Sequence, residues 1–248
     1  MGDGINMINA VEKQFIHVRN EPMNEYSLSN NMVNVFLEDG DYLWIGTEGG
    51  LNKYNKKDGT IKRFVHDPQI STSIGANAVW AVCKAKQGNL WVGAWAGGLN
   101  LFNYKNETFT HYYHNLEDNK SLSNNNIFSI KEDLNANIWI GTIGGGLSMY
   151  NPVDKTFTTF NRTNSNIDNY ISTIIQAKNG DLWIITSDDL LRFDHTKKIF
   201  EHFVHNVNDS TSLSSKQLFD VFEDSKGNIW VGADDGLNVL KKSSNSLA

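Results

Sequence analysis

Short stretches that alternate hydrophobic and polar residues follow one another along the whole chain, separated by turn residues. Residues 121–165 contain four of them, IFSIKED, NIWIGT, GLSMYN and KTFTTF. Each is rich in β-branched and aromatic residues, a composition typical of β-strands. Glycines, the segment NPVDK and Asn-rich linkers such as SLSNNN lie between them, where turns are expected. The pattern predicts groups of four short antiparallel strands.

One phrase recurs five times, as YLWIGTEGGLN, NLWVGAWAGGLN, NIWIGTIGGGLS, DLWIITSDDLL and NIWVGADDGLN. Its tryptophans are separated by 47, 48, 44 and 47 residues and are Trp44, Trp91, Trp139, Trp183 and Trp230. Four strands repeated at this period are typical of β-propeller blades. We therefore predict an all-β fold, a β-propeller of four-stranded antiparallel blades in a single domain, 1–248. The predicted repeats are 27–72, 73–120, 121–165, 166–211 and 212–241.

The repeated phrase also predicts how successive blades pack. The tryptophan lies on the second strand, where its ring can bury roughly 150 to 250 Å² against the adjacent blade. Glycine two residues later permits a close approach of the backbone, at Gly46, Gly93, Gly141 and Gly232. On the first strand we expect a core column nine residues before each tryptophan, formed by Val35, Val82, Ile130, Ile174 and Val221. We also assign Trp80, which aligns with Phe128 and Phe219, to the core.

Composition and charge narrow the classes of partner. The chain is 40% hydrophobic and 11% aromatic, as in a globular domain. Its net charge of -6 and the lack of a Lys/Arg cluster argue against nucleic acid and anionic membrane surfaces. No stretch approaches the roughly 18 apolar residues of a membrane span, and the first residues lack a signal-peptide profile. The single Cys83 cannot form an internal disulfide, which leaves the compartment open.

The phrase N-[IL]-W-[IV]-G-T-x-G-G-L-N resembles the two-component regulator propeller repeat. It is preceded by SLS-N-N and by an E-D-x-x-G turn such as Glu223, Asp224 and Gly227. The resemblance covers nearly the whole chain. It implies a periplasmic sensor region of a hybrid two-component receptor, ahead of a β-sandwich, a membrane span and a kinase. On this basis we expect a sensor propeller that binds an oligosaccharide or other small ligand without a cofactor, and signals through a protein partner or a homodimer.

The number of blades has two alternatives. Residues 2–18 are similar to the third and fourth strands of a blade, and the fifth repeat supplies a first, second and third strand. A strand around Phe15 to Val18 would then pair with the last blade and close a five-bladed ring, which we favour. The resemblance implies nearer seven blades, so the chain is otherwise part of a larger propeller with open edges. The fourth repeat is shorter than its neighbours and has Ile185 in the glycine position, which puts its hairpin in doubt.

Residues that break the repeat are the candidates for ligand binding. In propellers the second-to-third-strand hairpins and the loops between repeats share one face, where ligands usually bind. Trp95 lies at a hairpin tip without a counterpart in the other copies, and its ring can stack on a sugar. Alternatively, Trp95 covers a neighbouring loop and the polar residues are merely solvated. The candidates are Trp95, Glu48, Asp188, Asp234, Asp235, Asn77, Asn126, Tyr170 and Lys216.

Catalysis and metal binding are weaker alternatives. Glu48, Asp188, Asp189, Asp234 and Asp235 could meet around a channel as a calcium site or as a glycosidase pair, but turn tips favour Asp for conformational reasons alone. No histidine has a metal-ligand spacing with Cys or Glu, and no GxxxxGK[ST] or GxSxG motif occurs. We therefore predict no catalytic residue, no metal and no enzyme activity. A polysaccharide lyase or hydrolase and a protein-interaction scaffold are the alternative functions.

Overall fold

The computed structural model describes residues 4–9 and 14–242. All regular secondary structure in these ranges is β-strand, and no helix in them is long and apolar enough to cross a membrane. Contacts divide the chain into two compact units, Met1–Ile130 and Lys131–Ala248. The prediction of one domain spanning the chain stays a prediction.

The strands follow the predicted order, with four in each of the first four repeats. An N-terminal hairpin contains β1 (Ile5–Asn9) and β2 (Gln14–Val18). The first repeat contains β3 (Val33–Asp39), β4 (Tyr42–Thr47), β5 (Gly50–Asn55) and β6 (Ile61–Phe64). The second contains β7 (Val79–Lys84), β8 (Leu90–Ala94), β9 (Gly98–Asn103) and β10 (Thr108–Tyr112).

The remaining repeats continue this order. The third contains β11 (Ile127–Glu132), β12 (Ile138–Thr142), β13 (Leu147–Asn151) and β14 (Thr156–Phe160). The fourth contains β15 (Ile171–Gln176), β16 (Leu182–Thr186), β17 (Leu190–Asp194) and β18 (Ile199–Phe203). The fifth contains β19 (Leu218–Glu223), β20 (Ile229–Ala233) and β21 (Gly236–Leu240). Each of the first four repeats forms a four-stranded antiparallel sheet, which confirms the predicted fold class.

The N-terminal segment forms a hairpin of its own. β1 pairs with β2 in a two-stranded sheet, as expected for the third and fourth strands of a blade. Residues 2, 3 and 10–13 of that prediction lie outside the described residues. Within the described ranges, the sheet of the fifth repeat has three strands, and pairing of Phe15–Val18 with it is not confirmed. Ring closure and the number of blades stay predictions.

Trp44, Trp139 and Trp183 each pack with apolar residues of the sheet that follows in sequence. Trp44 is fully buried, and its ring lies 5.0 Å from that of Phe102 on β9. The same apolar cluster contains Leu51 from the first sheet and Val79 from the second. A Cβ added at Gly46 would lie 2.7 Å from Cγ1 of Val79, so glycine is required for this approach. The predicted packing of Trp and Gly is therefore present in the first unit.

The predicted core column is buried in four repeats and only partly buried in the first, where it lies on the other face of the sheet. Val82, Ile130, Ile174 and Val221 are buried. In the first repeat, however, Phe36 pairs with Ile45, in the register that Val82 and Val92 occupy in the second. The β3–β4 turn is one residue shorter than the β7–β8 turn, so every side chain before it moves to the other face. Val35 consequently packs against the Trp44 cluster instead.

Side-chain hydrogen bonds hold the turns at one end of the sheets. The indole N–H groups of Trp139 and Trp230 donate to Oδ2 of Asp133 and Asp224, at 2.9 and 3.0 Å. Each aspartate lies in the turn between the first two strands of its repeat. The bonds from Trp230 and Asn228 lower the pKa of Asp224 below its usual range. The E-D-x-x-G turn is thus tied to the tryptophan it precedes.

A second set of hydrogen bonds fixes the loops between repeats at the other end. Oδ1 of Asn52 accepts the Ser29 N–H at 2.8 Å, and Oδ1 of Asn100 accepts the Gly75 N–H at 2.9 Å. Both asparagines lie on third strands and are fully buried. Each therefore holds its inter-repeat loop against its own sheet. The SLS-N-N linker and the Asn of GGLN therefore form one hydrogen-bonded unit.

The fourth repeat forms its hairpin despite its shorter sequence. Ile185 is fully buried and packs in the cluster that includes Leu218 and Val221 of the fifth repeat. The Thr186 N–H donates to the Asp189 carbonyl at 3.0 Å, which closes the turn between β16 and β17. Ile185 thus supplies apolar bulk at a position where Gly46, Gly93 and Gly141 are closely approached by side chains of the following repeat.

Candidate functional site

The hairpin tips and the loops between repeats lie along one edge of each repeat. The Glu48 N–H donates to the Met32 carbonyl at 3.1 Å, and the Trp95 N–H donates to the Ala78 carbonyl at 2.8 Å. The Asp234 N–H makes the same contact with Gln217 at 3.1 Å. We name this edge the rim. It contains the second-to-third-strand tips, the inter-repeat loops and the start of each first strand.

A β-bulge occurs where first strands meet the rim. The strand register shifts at one residue in four repeats, and these residues are Asn34, Trp80, Ser172 and Phe219. Phe128 lies at the corresponding position of the third repeat, eleven residues before its tryptophan as Trp80 is. A bulge leaves its extra residue unpaired and redirects the side chain. The bulge position differs in identity in nearly every repeat.

The assignment of Trp80 to the core is wrong, because the bulge takes this side chain out of the interface between sheets. Trp80 is half-buried, and its ring stacks on Phe128 with centroids 4.4 Å apart and an interplanar angle of 25°. Phe219, which we aligned with Trp80, is 56% exposed. Both side chains belong to the rim.

Trp95 joins this aromatic pair from the neighbouring hairpin tip. It is 41% exposed, and its ring meets the edge of Phe128 at 6.4 Å and 75°. The adjacent Ala96 N–H donates to Oδ1 of Asn126 at 3.0 Å. The structure therefore brings Trp95 and Asn126 together, and adds Trp80 and Phe128, which the sequence analysis did not select. The bulge position differs in residue type between repeats, and this variation could have identified them from the sequence.

Glu48 approaches the same strands from the first repeat. Its Oε1 accepts a hydrogen bond from Nδ2 of Asn34 at 2.9 Å, and this amide also donates to the Val79 carbonyl at 3.1 Å. Val79 directly precedes Trp80. Asn77 has a different role, since its Oδ1 accepts the His66 N–H at 2.6 Å and shapes the loop. Asn34 is a further rim residue that the sequence analysis missed.

The fourth repeat, which lies in the second unit, carries a charged network at its rim instead. A terminal guanidinium nitrogen of Arg162 lies 2.8 Å from Oδ2 of Asp168 and 2.5 Å from Oδ2 of Asp188, and the Ser187 hydroxyl donates to Asp168. The Tyr170 N–H donates to Oδ1 of Asp168 at 2.9 Å. Tyr170 and Asp188 are thus joined through Asp168.

Asp168 is buried yet ionised. Burial alone raises the pKa of a carboxyl group, but the hydrogen bonds from Ser187 and Arg162 outweigh this and lower the pKa of Asp168 to about 2. Neither Asp168 nor Arg162 was a predicted site residue. Asp168 takes the place of an asparagine in the repeated linker, which is the signal that could have indicated it.

The neighbouring aspartates Asp188 and Asp189 have separate environments. Asp189 is buried, with Oδ1 2.5 Å from the Thr186 hydroxyl and Oδ2 2.6 Å from Nδ1 of His202. Asp188 is exposed and paired with Arg162. This arrangement does not favour a catalytic carboxylate pair. In the fifth repeat, Asp234, Asp235 and Lys216 are exposed rim residues.

One group of potential metal ligands lies away from the rim. Asp181, Asp194 and His195 have ligand atoms within 4.8 Å of one another. Oδ2 of Asp181 already accepts a hydrogen bond from Nε of Arg192 at 2.7 Å, and Oδ1 accepts one from the His195 N–H at 3.1 Å. The bonds from His195 and Arg192 outweigh burial and lower the pKa of Asp181. The group is explained as a salt-bridge cluster that ties the ends of β16 and β17.

Four segments of the chain match the family model described as two component regulator propeller. They are residues 27–49, 73–96, 166–188 and 212–235. Each runs from an inter-repeat loop through the first strand to the tip of the hairpin, and so contains one unit of the rim. These four segments carry the two component regulator propeller repeat. Glu48, Trp80 and Trp95 of the rim lie within matched segments.

Similar proteins include parts of bacterial signalling systems. The extracellular domain attributed to the hybrid two component system BT3049 of B. thetaiotaomicron is 27% identical with a TM-score of 0.77, over 96% of this chain and 30% of that one. A histidine kinase, P4, of Formosa agariphila is 32% identical over 79 residues, which are 29% of this chain and 6% of the kinase. The chain thus spans less than a third of each.

A more distant likeness concerns the fold alone. Virginiamycin B lyase of Staphylococcus aureus is 14% identical with a TM-score of 0.60, over 86% of this chain and 71% of that one. Taken together, the chain is a propeller region of the kind found in the extracellular part of two component systems.

Proposed function

We propose that this chain is a ligand-sensing region of a two-component receptor and that it binds an oligosaccharide at the rim. The four matched segments and the likeness to the BT3049 extracellular domain support a sensor role. The same likeness supports an extracytoplasmic, periplasmic location. The observation that carries the ligand class is Trp95, an aromatic side chain 41% exposed at a hairpin tip.

An exposed tryptophan held by a rigid sheet suits sugar recognition. The flat apolar ring stacks on the C–H face of a sugar, and aromatic anchors supply much of the binding energy in such sites. The Trp95 N–H is fixed by Ala78 and the next residue by Asn126, so the ring is held in place before binding. Preorganisation of this kind lowers the entropy lost on binding.

The signal would reach the rest of the receptor through contacts with a protein partner or a second copy. The sheets are closely packed, as the space around Gly46 shows, and packed interiors change little internally. Binding therefore acts by altering how the region meets its neighbour. We propose no residue for this contact.

A glycan array tests the proposed function. The purified chain is compared with Trp95→Ala and with Tyr42→Ala, a control at the opposite end of β4 from the rim and similarly exposed, at 37%. We expect at least one oligosaccharide to bind, with affinity reduced at least tenfold by Trp95→Ala and unchanged by Tyr42→Ala. Binding of no glycan, or equal loss in both variants, would contradict the proposal.

The enzyme alternative is tested in the same samples. A lyase or hydrolase would release shorter products from a bound polysaccharide, which chromatography detects. The environments of Asp188 and Asp189 do not favour this function, and we expect binding without product. A protein-interaction scaffold would instead capture a protein in the absence of any sugar.

A further inference from the structure

We propose that Trp80, Phe128 and Trp95 form one aromatic surface that receives an uncharged pyranose ring, with Glu48 and Asn34 as its polar border. The site would accordingly take neutral rather than acidic or sulfated oligosaccharides. This inference rests on the proposed function and names its substrate class. It departs from the sequence analysis, in which Trp80 was a core residue.

The aromatic surface extends over two neighbouring sheets. Trp80 comes from β7 and Phe128 from β11, and their stacked rings are both half-buried. Trp95 meets Phe128 edge to face from the tip that precedes β9. Phe128 thus touches both tryptophans, and the three rings form a continuous apolar surface. Part of each ring is already covered by its neighbours, and the exposed remainder, with Trp95 41% exposed, offers an apolar face to one sugar ring.

The polar border suits the hydroxyl groups around a sugar ring. The Glu48 carboxylate is half-buried and receives one hydrogen bond from Asn34, which leaves further acceptor positions on its two oxygens. Asn34 in turn donates to the carbonyl of Val79, next to Trp80. A carboxylate placed this way accepts hydrogen bonds from hydroxyl groups, and these charge-assisted bonds are stronger than neutral ones.

The charge of the first unit's rim decides between neutral and anionic sugars. Glu48 is the single charged residue in the five segments that contain these aromatic and polar residues, which are 27–36, 46–51, 71–83, 93–99 and 121–130. The other parts of the inter-repeat loops carry Arg19, Glu21, Glu25, Asp67, Glu117, Asp118 and Lys120. Recognition of uronic acids or sulfate esters calls for Arg or Lys. The five segments contain neither, and Glu48 would repel an anionic ring placed on the aromatic surface. An uncharged pyranose can stack on the aromatic surface and donate hydrogen bonds to the carboxylate without this electrostatic repulsion.

The test compares matched sugars by titration calorimetry. The probes are the gluco-, galacto- and manno-tetraoses and, for each, the counterpart with C6 oxidised to a carboxylate. We expect a neutral tetrasaccharide to bind at least tenfold more tightly than its oxidised form. Trp80→Leu and Phe128→Leu retain apolar bulk without an aromatic face, and each is expected to weaken neutral binding at least fivefold. The Tyr42→Ala control should bind as the unaltered chain does.

A charge variant separates the contribution of the Glu48 carboxylate from that of the aromatic surface. Glu48→Gln retains the shape and removes the charge, so we expect weaker neutral binding and a smaller preference over the oxidised sugar. Tighter binding of the oxidised sugars, or full binding by both leucine variants with unaltered melting temperatures, would overturn this inference and leave an oligosaccharide sensor intact. Failure of every tetrasaccharide and of the glycan array would instead overturn the proposed function itself.

Discussion

The two units repeat one sheet design but present different rims. In the first unit the rim segments 27–36, 46–51, 71–83, 93–99 and 121–130 are aromatic and amide-rich, with the single charge of Glu48. In the second unit the corresponding segments are strongly charged and carry Asp168, Asp188, Asp189, Lys216, Asp220, Asp234 and Asp235. Sheet geometry is maintained mainly by residues in the repeated phrase, whereas exposed rim side chains such as Trp95 and Asp234 contribute little to it. The rim therefore varies without cost to the fold, and two neighbouring parts of one chain can offer different chemistry.

The first and fifth repeats also differ in how the tryptophan face of the sheet is covered. In the first unit, Trp44 and Leu51 are fully buried beneath the second repeat. In the fifth repeat, Trp230 is half-buried and Leu237 is 66% exposed. The same phrase therefore contributes differently to stability according to what lies on its outer face. Four tests, from the largest expected effect to the smallest, sharpen both contrasts.

The largest expected effect is the loss of a buried tryptophan. Trp44→Ala removes a fully buried ring that contacts Phe64 and Phe102, and should lower the free energy of unfolding by about 3 to 5 kcal/mol. Trp230→Ala should cost less than half as much, because its ring is partly in water already. Urea unfolding of both variants measures the difference. Equal losses would show that the two tryptophan faces are equivalent after all.

The glycine two residues after each tryptophan provides the next contrast. A Cβ at Gly93 would overlap the Ile127 side chain, so Gly93→Ala should destabilise the chain by roughly 1 to 3 kcal/mol. A Cβ at Gly232 would meet nothing closer than the Asp220 carbonyl oxygen at 4.0 Å, and Gly232→Ala should change stability by about 0.5 kcal/mol or less. Thermal melting of the pair tests this. A stable Gly93→Ala variant would mean that the sheets can separate without loss.

The charged network of the second unit predicts a dependence on pH. The folded pKa of Asp168 is lowered from 3.8 to about 2, so its stabilising contribution is present above pH 4 and is lost as pH falls through 2. Arg162→Ala should lower the stability modestly at pH 7, since Arg162 is largely exposed, and this loss should shrink as pH falls through 2 and Asp168 is protonated. Unfolding of both proteins across this range checks the result. A difference that stays constant with pH would contradict the assignment.

The smallest effects are expected at the exposed charges of the fifth repeat. Lys216→Ala and Asp234→Asn alter solvated rim side chains, so stability should change by about 0.5 kcal/mol or less. If neutral sugars bind to the rim of the first unit, their affinity should also stay within roughly twofold of the unaltered value. Calorimetric titration with the best tetrasaccharide measures this. A tenfold loss in either variant would place the ligand on the rim of the second unit.

Much of the fold could be predicted from the repeated phrase. The period of Trp44, Trp91 and their counterparts identified the sheets, and the glycines identified the close contacts between them. The register of the first repeat could not be read from the same spacing, because a turn shorter by one residue exchanges Val35 and Phe36 between faces. The spacing to the tryptophan gives only a number of residues, whereas the face of the sheet on which a side chain lies depends on which residues pair across the two strands.

The candidate site was predicted less completely. Trp95 was selected because its aromatic ring is unique among the tips, and it lies on the rim as expected. Trp80 was misplaced, since its alignment with Phe128 and Phe219 on the first strands does not reveal the bulge that takes its side chain out of the interface between sheets. Asp168 and Arg162 were missed because their role depends on a contact between the fourth-repeat hairpin and the loop before it.

The sequence alone determined the repeat, the four-stranded sheets and the tryptophan and glycine contacts, because each depends on local alternation and on residues recurring at one period. Only the tertiary structure decided which side chains reach the rim together. Bulges, the length of a single turn and hydrogen bonds between loops direct Trp80, Phe128, Asn34 and Asp168. These features join residues that are far apart in sequence, and no periodic pattern records them.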